Sequence, residues 1–194
     1  MLKHHGAVNG VTGSCHELTL ANGRSVLIDC GLFQGAEISA DGAGAAQLAV
    51  TFPVDQITAL IVTHVHIDHI GRIPYLLAAG FTGPILCSEA SAALLPMVLE
   101  DALEVGFTRD RALIERVLQV IRERVVALPY GAWHEVVAGH PGLRVNYPAL
   151  KGEACSCTPQ IPIGSWHATL ALIPGYHRET RRQLGRLTPL AKRT

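Results

Sequence analysis

Aspartate is missing from the last 84 residues of this 194-residue chain: none follows Asp110. No aspartate carboxylate from beyond that point can therefore complete a site. Long apolar runs are missing too. No uninterrupted stretch reaches the length of about 18 residues that a transmembrane helix requires, so no membrane partner is expected. The opening Met1-Leu2-Lys3-His4-His5-Gly6 lacks the apolar core of a secretory leader. Net charge is zero, with 16 basic and 16 acidic residues, which gives no global attraction to nucleic acid and leaves only local charge to supply it. The five cysteines, at 15, 30, 87, 155 and 157, are odd in number and scattered. Reduced thiols in a cytoplasm are expected rather than a disulfide framework. A chain that is 48% hydrophobic at this length is a globular composition of one ordinary domain.

The patterning predicts an α/β chain. His16–Leu20 alternates, and Asn22-Gly23 signals a hairpin turn. Ser25–Asp29 is a buried-strand run that ends in an acid, which on its own reads as a turn-capping carboxylate. Residues 36–50 are Ala/Gly-rich and read as a loop that can hold a short helix. Ile57–Val62 is a β-branched strand, and Ile70–Ala79 is a helix ending at Gly80. Pro84–Cys87 is a short strand. Residues 90–127 are helical in two pieces, broken at Gly106–Asp110, with Thr108 as N-cap of the second. Leu94, Leu95, Val98, Leu99, Ala102 and Leu103 form one apolar stripe. Leu113, Ile114, Val117, Leu118 and Ile121 form another. Glu115, Arg116, Arg122, Glu123 and Arg124 read as a solvated face.

The run Thr63-His64-Val65-His66-Ile67-Asp68-His69-Ile70-Gly71 carries the chemistry. Three imidazoles and a carboxylate fall within six residues at the end of an apolar strand. Nitrogen and oxygen donors in that set suit Zn²⁺, and four such groups at a strand end need a metal or heavy pairing to sit together.

The spacing H-x-H-x-D-H-x-G after a core strand resembles the metallo-β-lactamase fold superfamily. Val11-Thr12-Gly13-Ser14-Cys15-His16 and Ile28-Asp29-Cys30-Gly31-Leu32-Phe33-Gln34-Gly35 narrow the resemblance to the β-CASP branch, and Pro129-Tyr130-Gly131 with Trp133-His134 is similar to it as well. That branch contains RNA endo- and exonucleases and messenger-RNA 3′-end cleavage factors. The resemblance implies His64 and His66 as ligands of one zinc ion, and Asp68 and His69 as ligands of a second. It implies Asp29 as a support behind the metal loop, Asp68 as the catalytic carboxylate that orients the attacking hydroxide, and RNA as the partner. The full family site holds two metals about 3.5–4 Å apart.

The resemblance covers residues 4–145. It implies a partial metallo-β-lactamase-like domain over 1–145, the N-terminal half of an αββα sandwich, followed by a Pro-rich, basic tail over 146–194. The family's later ligands, a histidine in a Gly-His-Ile-Leu-Gly-Ser-like segment, a bridging aspartate and a C-terminal histidine, have no match here. After Leu143-Arg144-Val145 the chain reads Asn146-Tyr147-Pro148. In residues 178–194, six basic residues face the single acid Glu179. This loss of pattern reads as a truncated or frameshifted ending. Cys155, Cys157, His167 and His177 are ligands by chemistry only, and His134 and His140 read as strand-start and turn residues.

Three functions compete on this reading. They are a β-CASP RNA nuclease by descent, another metallohydrolase acting on thioesters or lactones, and a non-catalytic fragment or interaction module. A half-site implies one zinc ion or weak binding and little RNA cleavage. An uncovered apolar face implies self-association.

Overall fold

The computed structural model describes residues 1–8, 12–33, 48–106, 108–138 and 142–148, with backbone alone at 160–163 and 166–169. The chain divides into two compact units, Met1–Ala127 and Leu128–Thr194. The first unit is built on a six-stranded mixed sheet in the order β1 (Leu2–His4), β2 (His16–Thr19), β3 (Ser25–Ile28), β4 (Ile57–Ile61), β5 (Ile85–Ser88), β6 (Val125–Leu128).

Local sequence explains the sheet. β2 alternates buried and half-buried residues as a strand with one covered face does. It turns through Asn22-Gly23, where Gly23 holds φ +81° and its N–H donates to the Leu20 carbonyl. β1–β2 and β2–β3 pair antiparallel, with His4 opposite His16 and His16 opposite Ile28. β3–β4 and β4–β5 pair parallel, with Ile28 opposite Ile61 and Ile61 opposite Leu86. Every residue of β3 and β5 is buried. Such continuous burial is typical of central strands in parallel sheets.

Among the described residues four helices follow the strands. α1 (Ile67–Ile70) is a single turn formed by the histidine-rich run itself, and α2 (Ile73–Ala78) starts after Gly71-Arg72 with Pro74 in its first turn. One helix over Ile70–Ala79 was expected; the run's own residues instead begin the helical path, and the chain breaks at Gly71-Arg72. Ala79 is the C-cap, and Gly80 lies just beyond it at φ +100°.

α3 (Glu89–Gly106) buries Ser91, Leu95, Leu99 and Leu103 at fourfold spacing. It packs with Ile114, Leu118 and Ile121 of α4 (Arg111–Arg124) in one core cluster. Three details differ from the sequence reading. Helix is expected through residue 127, but α4 ends at Arg124 and the β-branched pair Val125-Val126 opens strand β6 instead. Leu94 points away from the core and is 43% exposed, because burial follows the 91-95-99-103 line and leaves Leu94 on its flank. Thr108 is not the N-cap: Asp110 accepts the Ala112 and Leu113 N–H groups, while the Thr108 hydroxyl accepts the Asp110 N–H. The charged face of α4 is solvated as expected, with Arg122 on Glu115 at 2.7 Å.

In the second unit β7 (His134–Glu135) pairs antiparallel with β8 (Arg144–Val145). β9 (Gln160–Ile163) and β10 (Trp166–Thr169) form a hairpin. Among the described residues no helix is long and apolar enough to cross a membrane. The expected loop over 36–50 lies outside the described residues up to 47.

Core burial sets a stability contrast within α3. Leu99 is fully buried. Leu99→Ala should cost about 2–5 kcal/mol in urea denaturation, whereas Leu94→Ala, on the exposed flank, should stay within about 0.5 kcal/mol.

Candidate metal centre

β4 ends at Ile61 beside the end of β3, so Thr63 emerges next to Asp29. Asp29 is fully buried and adopts φ +59°, a left-handed backbone that aspartate tolerates better than most residues. Its carboxylate faces the metal loop. Oδ1 accepts the Thr63 N–H at 2.8 Å, and both oxygens accept the Thr63 hydroxyl at 2.9 Å. Oδ2 accepts His69 Nδ1–H at 2.7 Å and the Ser14 hydroxyl at 3.2 Å. The buried carboxylate thus fixes both ends of the His64–His69 run.

The backbone does the rest. Ser14 N–H donates to the Asp68 carbonyl at 2.9 Å, Cys30 N–H to the His69 carbonyl at 2.7 Å, and Leu32 N–H to the Ile67 carbonyl at 3.0 Å. The loop lies so close to Gly31 that a β-carbon there would overlap the Asp68 carbonyl and approach the His69 nitrogen. Buried Arg72 closes the turn by donating Nε–H to the Gly31 carbonyl at 2.6 Å.

The structure brings His64, His66, Asp68 and His69 together. The His64 ring centroid lies 4.4 Å from His66 and 4.1 Å from His69. Hydrogen-bond partners assign the tautomers. Thr63 has one hydroxyl proton and gives it to Asp29, so at 3.0 Å it accepts from His64 Nδ1–H. His64 Nε2 is then a lone pair, 3.0 Å from His66 Nδ1. His69 gives its Nδ1 proton to Asp29, which leaves Nε2 facing Asp68 Oδ2 at 3.6 Å.

The electrostatics separate the two rings. Burial, then the neighbouring His69 charge, pushes His64 down to about 4. Burial also works against the charged form of His69, but the Asp29 hydrogen bond and the Asp29 and Asp68 charges outweigh it and raise this ring.

The donor set suits zinc by chemistry and by pairs. Two nitrogens on one tetrahedral zinc, each at about 2.0–2.1 Å, stand about 3.3 Å apart, close to the His64–His66 separation of 3.0 Å. His69 Nε2 and Asp68 Oδ2 form the second pair. Among the described residues no three His, Cys, Asp or Glu side chains converge on one point. Thiolates do not fill the gap. The Cys15 thiol is raised by its hydrogen bond with Cys30 and by burial, and burial pushes Cys87 up to about 12. His134 lies in the second unit, with Nε2 at 3.3 Å from the Pro129 carbonyl. His140, Cys155, Cys157 and His177 lie outside the described residues, and His167 is described by backbone alone.

Sequence reasoning missed Ser14, whose buried hydroxyl reaches Asp29 from just before β2, and His16, which reaches Ser14, and gave Thr63 no part. The one signal was their position inside Thr12-Gly13-Ser14-Cys15-His16, a segment that carries family resemblance without showing what its side chains do.

These features define a metallohydrolase-type metal loop on a mixed sheet. The family model of the Metallo-beta-lactamase superfamily matches residues 9–161, and the chain belongs to that superfamily. The match extends past residue 145, where the sequence resemblance lapses. Among curated proteins the chain is 45% identical over 100 residues to Ribonuclease TTHA0252 of Thermus thermophilus, covering 52% of this chain and 22% of that one. It is 30% identical over 128 residues to Transcription termination factor FttA of Cenarchaeum symbiosum, covering 65% and 20%. It is 34% identical over 106 residues to Cleavage and polyadenylation specificity factor subunit 3-II of Arabidopsis thaliana, covering 54% and 17%. The alignments span about a fifth of the length of these relatives.

This geometry makes two predictions. Asp29→Ala strands the Thr63, Ser14 and His69 donors in a buried site and should cost about 3–5 kcal/mol in thermal or urea denaturation. The second concerns pH. Burial, then the His4 charge, holds His16 down to about 4 from 6.5. Above pH 6.5 the ring is neutral in both states, and as pH falls the unfolded chain takes up a proton that the folded chain refuses until about pH 4. Stability should therefore fall from pH 6.5 to 4, and His16→Gln should flatten that slope in melts across the range.

Proposed function

We propose that this chain carries the first metal-binding half of a β-CASP-type metallohydrolase whose substrate is the RNA phosphodiester. The observation that carries the reading is the His64, His66, Asp68 and His69 cluster held over buried Asp29, in a chain whose curated relatives include a ribonuclease and a cleavage and polyadenylation specificity factor subunit. His64 and His66 would hold one zinc ion through Nε2 and Nδ1, and Asp68 and His69 a second through Oδ2 and Nε2. Bound zinc would supply Lewis acidity toward a phosphodiester and lower the pKa of water toward about 7.

The chain's own residues would do the positioning. Thr63 holds His64 Nδ1–H, and Asp29 holds His69 Nδ1–H, so the opposite nitrogen of each ring presents its lone pair. Asp68, with a quarter of its side chain exposed, is the carboxylate able to orient a water.

Each pair is one ligand short of the three protein donors that a catalytic zinc takes. We therefore assign this chain weak binding or a single zinc ion, and little RNA cleavage by itself. A reducing cytoplasm suits the free thiols of Cys15, Cys30 and Cys87. Leu94, Met97 and Val105, exposed on α3, offer an apolar surface for self-association.

Calorimetric zinc titration should give one equivalent or weak binding, abolished by His64→Ala with His66→Ala. Tight uptake of two equivalents would show that further ligands complete the site. Zinc- or manganese-loaded protein should leave labelled single-stranded RNA essentially intact. Robust cleavage lost in His66→Ala would overturn the half-site reading. Turnover of a thioester or lactone without phosphodiester cleavage would move the chain to another branch, and no metal uptake at all would make it a non-catalytic module.

A further inference from the structure

We infer that Ser14 and His16 are positioning residues for the metal loop, holding Asp29 in the orientation that grips His69. The inference rests on the reading of His69 as a ligand, but its first measurement does not require metal.

The side chains form one continuous line from the sheet edge to the loop. His4 Nδ1 lies 2.8 Å from His16 Nδ1, and His16 Nε2 lies 3.3 Å from Ser14 Oγ. Ser14 Oγ lies 3.2 Å from Asp29 Oδ2, which lies 2.7 Å from His69 Nδ1. Counting protons fixes the direction. A serine hydroxyl has one proton, and Ser14 gives it to Asp29. At its other contact Ser14 must accept, so His16 carries its proton on Nε2. His16 Nδ1 is then a lone pair that accepts from His4 Nδ1–H. Three donors in series point toward one carboxylate, an arrangement in which each bond polarises the next.

Burial makes the line consequential. Ser14, His16, Asp29 and His69 are all at least nine-tenths buried, so water cannot readily replace a lost partner. Burial also favours the neutral His16 ring that the line needs. Ser14 is fixed on two further sides, since its N–H donates to the Asp68 carbonyl and its own carbonyl accepts the Gly31 N–H at 2.9 Å. Asp29 has little spare freedom either, because its left-handed backbone sets where the carboxylate starts and Thr63 holds both oxygens. Ser14 adds a restraint on Oδ2, the oxygen that grips His69, from outside the metal loop's own residues in sequence. His16 acts one step back, by keeping the Ser14 hydroxyl turned toward Asp29.

The test uses ¹⁵N-histidine-labelled, metal-free protein, followed by zinc titration of the same samples. In the parent, His16 should appear as the Nε2–H tautomer, and His69 should show a protected Nδ1–H. Ser14→Ala should lose that protection and weaken zinc binding about tenfold or more, as loss of a partner behind the ligands does. His16→Ala should act in the same direction, and the double variant should be no worse than Ser14→Ala, because His16 acts through Ser14. A parent His16 carrying its proton on Nδ1 would overturn the inference, even if His16→Ala fails to fold. So would a Ser14→Ala protein with the His69 signal or the zinc affinity unchanged, or losses that multiply in the double variant. A parent that takes up no zinc would sink the ligand reading, while the tautomer and protection measurements still decide whether Ser14 and His16 hold Asp29.

Discussion

The buried carboxylate of Asp29 is the constraint on which the metal loop depends. A carboxylate out of water is costly unless donors surround it. Here the donors come from three places: Ser14 before β2, Thr63 after β4, and His69 in α1. Each donor satisfies the charge and is fixed by it. The strand end, the loop and the first helical turn are therefore held by one group, and the backbone strain at Asp29 is offset by the bonds its position makes available. Close approach at Gly31 serves the same end, since the loop can reach Asp29 only where no side chain intervenes.

That arrangement separates orientation from ligation. Thr63 and Asp29 occupy the Nδ1 sides of His64 and His69, which turns both Nε2 atoms inward. The parallel register of β3 and β4 makes this geometry available, because it brings the ends of two strands, and so Asp29 and Thr63, to one edge. Charges follow the same logic. His64 faces other imidazoles and is held neutral by burial, whereas His69 sits between two carboxylates and holds its proton more firmly. The four donors thus fall into two pairs of different character.

Membership of the metallo-beta-lactamase superfamily accounts for the loop but not for a finished site. The described residues offer two pairs of donor side chains, His64 with His66 and Asp68 with His69. The alignments with the curated relatives cover about a fifth of those proteins. The rest of a working centre is not among the described side chains. Fold and activity are therefore separate questions for this chain, because a strand-end loop can form on one sheet whereas catalysis needs ligands from several elements at once.

Elements with strong local signals were legible from the residues alone. The β-branched run Ile57–Val62, the Asn22-Gly23 turn, the two helices after residue 88 and the four donors of the His64–His69 run belong to this group, because strand alternation, turn chemistry and ligand spacing are local properties. Asp29 was also named as a support, through resemblance. Folding in three dimensions was needed to settle which atoms Asp29 holds, that Ser14 and His16 stand behind it, that Asp110 rather than Thr108 caps α4, and that Leu94 faces away from the core. Each of these depends on where a side chain points relative to its neighbours in space. Residues 14, 29, 63 and 69 are separated by up to 55 positions and meet only when the sheet pairs. A buried polar network leaves no periodic trace in sequence, since each member looks like an ordinary loop or strand residue until its partner arrives.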